Sequence, residues 1–155
     1  IFGELSRARV DGHTDLGPGS NPHFGAGVLV FERTADASIW SAPLAGGVAP
    51  VRLADGHLPA AAPRSAHTTA LCYLRDTDPT DAGHRDELIC GDLVDGKLLD
   101  STRLAAEPRP ILGLAVAAAA GRIGVSWQTQ QDDDTGISFA SLSCPEPAAA
   151  AKARE

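Results

Sequence analysis

A chain of 155 residues, 43% of them hydrophobic and 21% charged, has the length of one domain and enough apolar side chain to bury a core. Its 13 Lys and Arg against 20 Asp and Glu leave a net charge of -7, which argues against a surface that must neutralise a nucleic-acid backbone or an anionic membrane, and favours cationic partners or metal ions. The longest apolar run, 111–120, is ten residues, short of the roughly 18 a membrane-spanning helix needs, so no membrane span and a soluble protein are expected.

Gly 16 and Pro 11 point to many turns and to β structure rather than long solvated helices. The chain opens on Ile1 and contains no Met, the sign of a removed leader or of a piece of a longer chain. Cys72, Cys90 and Cys144 are too far apart for a CxxC pair. Cys72 and Cys90 lie inside apolar strand patterns and read as buried thiols.

In chain order, residues 2–10 and 13–16 flank Asp11-Gly12 and read as a hairpin. A small-residue stretch with Pro and Gly, 22–27, precedes an apolar strand at 28–34; a second hairpin joins 38–44 to 48–54 through Gly46-Gly47. The pattern then repeats. Small residues at 59–64 precede an apolar strand at 70–76, and the hairpin of 88–94 and 97–105 turns at Asp95-Gly96. Asp-Gly suits that turn because both central residues need positive φ. A third round gives 111–121, an apolar strand at 123–129, and a strand at 136–143. The apolar second strands read as buried on both faces, and Trp40, Tyr73 and Trp127 as packing residues. PEPAAAAKARE, from Pro145, reads as a disordered tail.

The register is regular. Ile39, Leu88 and Ile137 follow one another at intervals of 49 residues, as do Leu44, Leu93 and Leu142. A fixed period of this size marks a repeat architecture. The fold class expected is all-β, built of antiparallel four-stranded repeats with units of about 1–34, 35–75, 76–129 and 130–144. A Pro-containing inner strand, an apolar second strand and a third ending in Asp-Gly or Gly-Gly resemble the blades of TolB-like β-propellers. The resemblance covers 1–144 without a WD dipeptide, kelch motif or SxDxGxTW box. It implies about three blades, fewer than the four to eight of closed propellers. An incomplete propeller is therefore expected, completed by a second copy, by another chain or by sequence outside this one; a β-sandwich or barrel is the alternative.

In blade terms the loops between second and third strands share one face with the connections from fourth to first, and such faces bind ligands. Two of these loops are acidic. Asp76, Asp78, Asp81 and Asp86 lie in DTDPTDAGHRDE, and Asp132, Asp133 and Asp134 in QQDDDTG. Asp76, Asp78, Asp132, Asp133 and Asp134 are candidate oxygen ligands for Ca²⁺, though neither loop has the EF-hand arrangement, and a solvated acidic loop is the plainer reading. His23 and His57 occupy comparable fourth-to-first connections; with Asp78, Asp81 and His84 they form the candidate ligand-binding set. No HExxH, G-x-S-x-G, G-x-G-x-x-G or P-loop motif is present. The expected function is a non-catalytic binding or scaffold module with a protein partner or a second copy of itself. The alternative is a propeller hydrolase or lyase holding a cation in its acidic loops, with His57 or His84 as acid or base.

Overall fold

The structure, a computed structural model, describes residues 15–77, 85–119 and 121–143. The N-terminal hairpin expected over 2–16, as well as Asp78, Asp81, His84, Cys144 and the tail, lie wholly or mostly outside the described residues. Among the described residues there are eleven strands and no helix, so none long and apolar enough to cross a membrane.

The strands are β1 (Ser20–Phe24), β2 (Val28–Arg33), β3 (Ser38–Pro43), β4 (Val51–Asp55), β5 (His57–Pro63), β6 (Thr68–Asp76), β7 (Asp86–Val94), β8 (Lys97–Glu107), β9 (Ile111–Ala119), β10 (Arg122–Gln131) and β11 (Asp134–Ser143). They form three antiparallel meanders in sequence order: β1 to β4, β5 to β8, and β9 to β11. Among the described residues no sheet closes into a barrel. Among the described residues, each small-residue stretch, apolar strand and hairpin read from the sequence is a strand or strand pair of these sheets. The Asp95-Gly96 turn has φ of 48° and 77°, and Val94 faces Lys97 across it, as a two-residue turn with two positive φ values requires.

The sheets stack face to face, with β5 lying against both β1 and β9. Val30 and Ile39 of the first sheet meet Ala61, Leu71, Tyr73, Ile89 and Leu93 of the second. The second sheet's other face, with Ala70, Cys72, Leu74, Leu88 and Cys90, meets Ile111, Ile123, Val125 and Trp127 of the third. Because β6 is apolar at every position from Ala70 to Leu74, it buries both faces. The same expectation fails for β10. Ile123, Val125, Trp127 and Thr129 are buried while Gly124, Ser126 and Gln128 between them are only partly so, because no described sheet covers the far side.

The acidic loop read in QQDDDTG shrinks to a turn at Asp132-Asp133, since Gln131 already pairs with Asp134. Between the first and second sheets a single residue, Gly56, joins β4 to β5. It has φ of 148°, and a Cβ there would lie 2.4 Å from the carbonyl oxygen of Leu74. Only glycine fits that crossing.

Cys72 and Cys90 correct the reading as thiols. They stand directly opposite in the β6–β7 ladder and are joined in a disulfide, buried between the second and third sheets. The spacing of 18 residues is the length of the two strand segments and their loop, and carries no pairing signature of its own.

Candidate interaction face and the carboxylate seam

Two buried carboxylates tie each sheet to the first strand of the next. Glu32 of β2 accepts a hydrogen bond from the Leu58 backbone N–H of β5 at 2.9 Å, and from Asn21 Nδ2 at 3.0 Å. Asn21 and Leu58 occupy equivalent bulges in β1 and β5, each with φ near 48° and each followed by Pro. A left-handed Leu costs roughly 1 to 2 kcal/mol. The Glu32 bond helps to hold it. One sheet on, Asp86 Oδ2 accepts from the Ile111 N–H of β9 at 2.7 Å, and Asp86 Oδ1 lies 3.7 Å from His57 Nε2. Trp127 Nε1 donates to Glu107 Oε1 at 3.0 Å, tying β10 to β8.

Asp86 is 5% exposed as the first residue of β7. It is thus a buried anchor, which corrects its reading as part of a solvated acidic loop. Glu87, its neighbour, faces the other way. Its Oε2 accepts from Arg75 Nη2 at 2.6 Å and Nε at 3.2 Å, and its Oε1 from Arg103 Nη1 at 2.9 Å. This clamps β6, β7 and β8 together. The Arg75 bond, then the Arg103 bond, hold the Glu87 carboxyl below its ordinary value of 4.5. A carboxyl depressed in the folded state adds stability above its unfolded pKa and loses it as pH falls through the folded one. Acidification below about pH 4.5 is therefore expected to lower Tm. The drop should be smaller in Glu87→Gln, as followed by calorimetry; equal acid sensitivity in the two proteins would contradict the clamp.

The residues singled out in the sequence are placed apart. His57 opens β5 beside Asp86, and Asp76 closes β6 opposite Asp86. His23 is level with Val30, three positions further along the repeat than His57, and burial lowers its pKa. Asp132 and Asp133 make the β10–β11 turn, while Asp134 Oδ1 accepts from the Thr135 N–H. Among the described residues no three His, Cys, Asp or Glu side chains gather into a site that could hold a metal ion. His57 lies near a carboxylate that is already fixed to β9, but at 3.7 Å the two are not hydrogen-bonded. The sequence does not single out Glu32 and Glu87. Their only signal is a carboxylate abutting an apolar strand run, which exposed strand ends show equally.

The side of the third sheet facing away from the second carries Gly113, Ala115, Ala117, Gly124, Ser126, Gln128, Ile137, Phe139 and Ser141, with the charged Arg122 at one end of it. Phe139 lies across Gly124, and Ile137 and Phe139 are 81% and 69% exposed. Single exposed apolar residues are ordinary; two adjacent ones on a largely uncharged sheet face make it a candidate interaction surface. Between the first and second sheets a cleft of about 510 Å³ is lined by Val28, Val48 and Val51, with His67 and Lys97 among its polar residues.

No family description, curated protein or solved structure matches this chain.

Proposed function

We propose that this chain is a non-catalytic binding or scaffold module: an arc of propeller-like blades completed by a second copy or another chain seated on the outer face of the third sheet. One observation carries the reading. Ile39, Leu88 and Ile137 lie in successive third strands; the first two are fully buried under the following sheet, and the last is 81% exposed. The 49-residue register and the sequence resemblance to TolB-like blades support the same view. The catalytic alternative draws on His57 beside Asp86, but the carboxylates near it are accounted for as ties between strands and sheets.

The test is the mass in solution. Sedimentation equilibrium is expected to show association that rises with concentration and is abolished by combining Ile137→Asp with Phe139→Asp. A strict monomer at every concentration would sink self-association and leave only a different chain as occupant, to be sought by loss of capture in the same double variant.

A further inference from the structure

The third sheet lacks something besides a neighbour on its face. In the first and second sheets the third strand is paired on its far edge, β3 with β4 and β7 with β8; β11, ten residues long, has no described strand on that edge. An unpaired edge of this length presents a row of free N–H and C=O groups.

Beside the edge runs a trough of about 200 Å³. Leu142, Ser143 and Ile123 line it from the third sheet, and Cys90, Asp92, Asp100, Thr102 and Leu104 among others from the second. One sheet earlier a fourth strand is present: Leu53 and Ala54 of β4 pack on the cluster between the first and second sheets, to which Leu93 of β7 belongs and on which Leu98 of β8 also packs. Over the second sheet nothing described repeats that cover, and β8 is exposed from Leu99 to Arg103.

We propose that the free edge of β11 and this trough receive an extended segment of another polypeptide as the fourth strand of the third sheet. The established β3–β4 and β7–β8 pairings set its direction, antiparallel to β11. Alternate side chains of the segment face the trough, where Leu142, Ile123 and Leu104 call for apolar residues. Asp100 lines the trough together with Ser143, at the end of β11, whereas Asp92, which also lines it, is already paired with Arg64. That end meets the amino terminus of an antiparallel partner, so a basic residue is favoured there. Main-chain bonds supply the affinity and the alternate side chains the selectivity, as in strand addition generally. The inference rests on the repeat and does not require the outer face to be covered.

The probe is a labelled peptide with the sequence of β8, KLLDSTRLAAE, which by the repeat register sets its lysine opposite Ser143. Fluorescence anisotropy with the full chain is expected to show saturable binding, with amide shifts along 137–143. Leu104→Arg, which fills the trough and leaves the edge intact, should weaken binding at least tenfold, by about 1.4 kcal/mol or more. A peptide N-methylated at alternate residues on its pairing edge should not bind. Ser126→Asp, on the outer face but in β10 and away from the pairing edge, should bind normally even if association through that face is lost, which separates this inference from the preceding one. Absence of saturable binding, equal binding by the N-methylated peptide, or indifference to Leu104→Arg would overturn the proposal. So would a change of solution mass in Ser141→Pro without any peptide binding by the parent protein, which would assign the edge to a second copy.

Discussion

Leu88→Ala is expected to cost about 3 kcal/mol of unfolding free energy, and Ile137→Ala less than about 0.5 kcal/mol, although both residues lie in the third strand of their sheets, β7 and β11. Leu88 is fully buried between the second and third sheets, so truncation removes apolar burial and leaves a cavity among Cys72, Leu74 and Trp127. Ile137 loses neither burial nor neighbours, because it already faces out. Ile39, sealed between the first and second sheets, should behave like Leu88. For a chain of this length a loss of about 3 kcal/mol lowers Tm by roughly 6 to 12 °C. Urea titration of the three variants at high dilution reads the difference directly. Repeating the Ile137→Ala measurement at high concentration tests the interaction face, since stability gained by association depends on protein concentration. A large loss for Ile137→Ala in the dilute monomer would mean that the third sheet is covered after all.

That contrast also shows where the sequence is informative. Local signals locate the described strands to within a few residues: Asp95-Gly96 makes a two-residue turn because few other residues accept positive φ, whereas Gly46-Gly47 lies within the longer connection 44–50 between β3 and β4, and a period of two or a wholly apolar run marks the strands themselves. The 49-residue spacing even sets Ile39, Leu88 and Ile137 in the third strand of successive sheets before any pairing is known. Burial is not legible in that way. Leu88 and Ile137 are chemically alike, and only the presence of a following sheet separates a core residue from a surface one. The carboxylates escape notice for a related reason. Asp86 sits in a string of acidic residues, and its partner, the Ile111 N–H, belongs to another sheet 25 residues away. No local pattern distinguishes a carboxylate that will meet a buried N–H from one that will meet water. Gly56 is likewise unmarked as a sharp crossing, because the steric demand comes from the Leu74 carbonyl of a neighbouring strand.

Cutting the Cys72–Cys90 bond is the second change with a large expected effect, about 3 kcal/mol for a loop of this size. The disulfide joins residues 18 apart, so in the unfolded chain it removes the freedom of the segment that includes the β6–β7 connection. In the folded chain it lies between the second and third sheets, in contact with the same cluster as Leu88. Reduction of the native protein should therefore be slow until the sheets separate, and should then lower stability by an amount matched by the Cys72→Ala/Cys90→Ala variant, allowing for the small cavity left by two sulfurs. The measurement is urea unfolding with and without a phosphine reductant. The parent protein should lose stability and the double variant should be indifferent. Peptide mapping without reduction should recover Cys72 linked to Cys90; alkylation of both as free thiols in the unreduced, denatured protein would overturn the assignment. A buried cross-strand bond of this kind has to form while β6 and β7 are still accessible, which ties efficient folding to an oxidising environment. Production in a reducing compartment is accordingly expected to give a lower yield, with the loss concentrated in protein whose Cys72 and Cys90 react with thiol reagents.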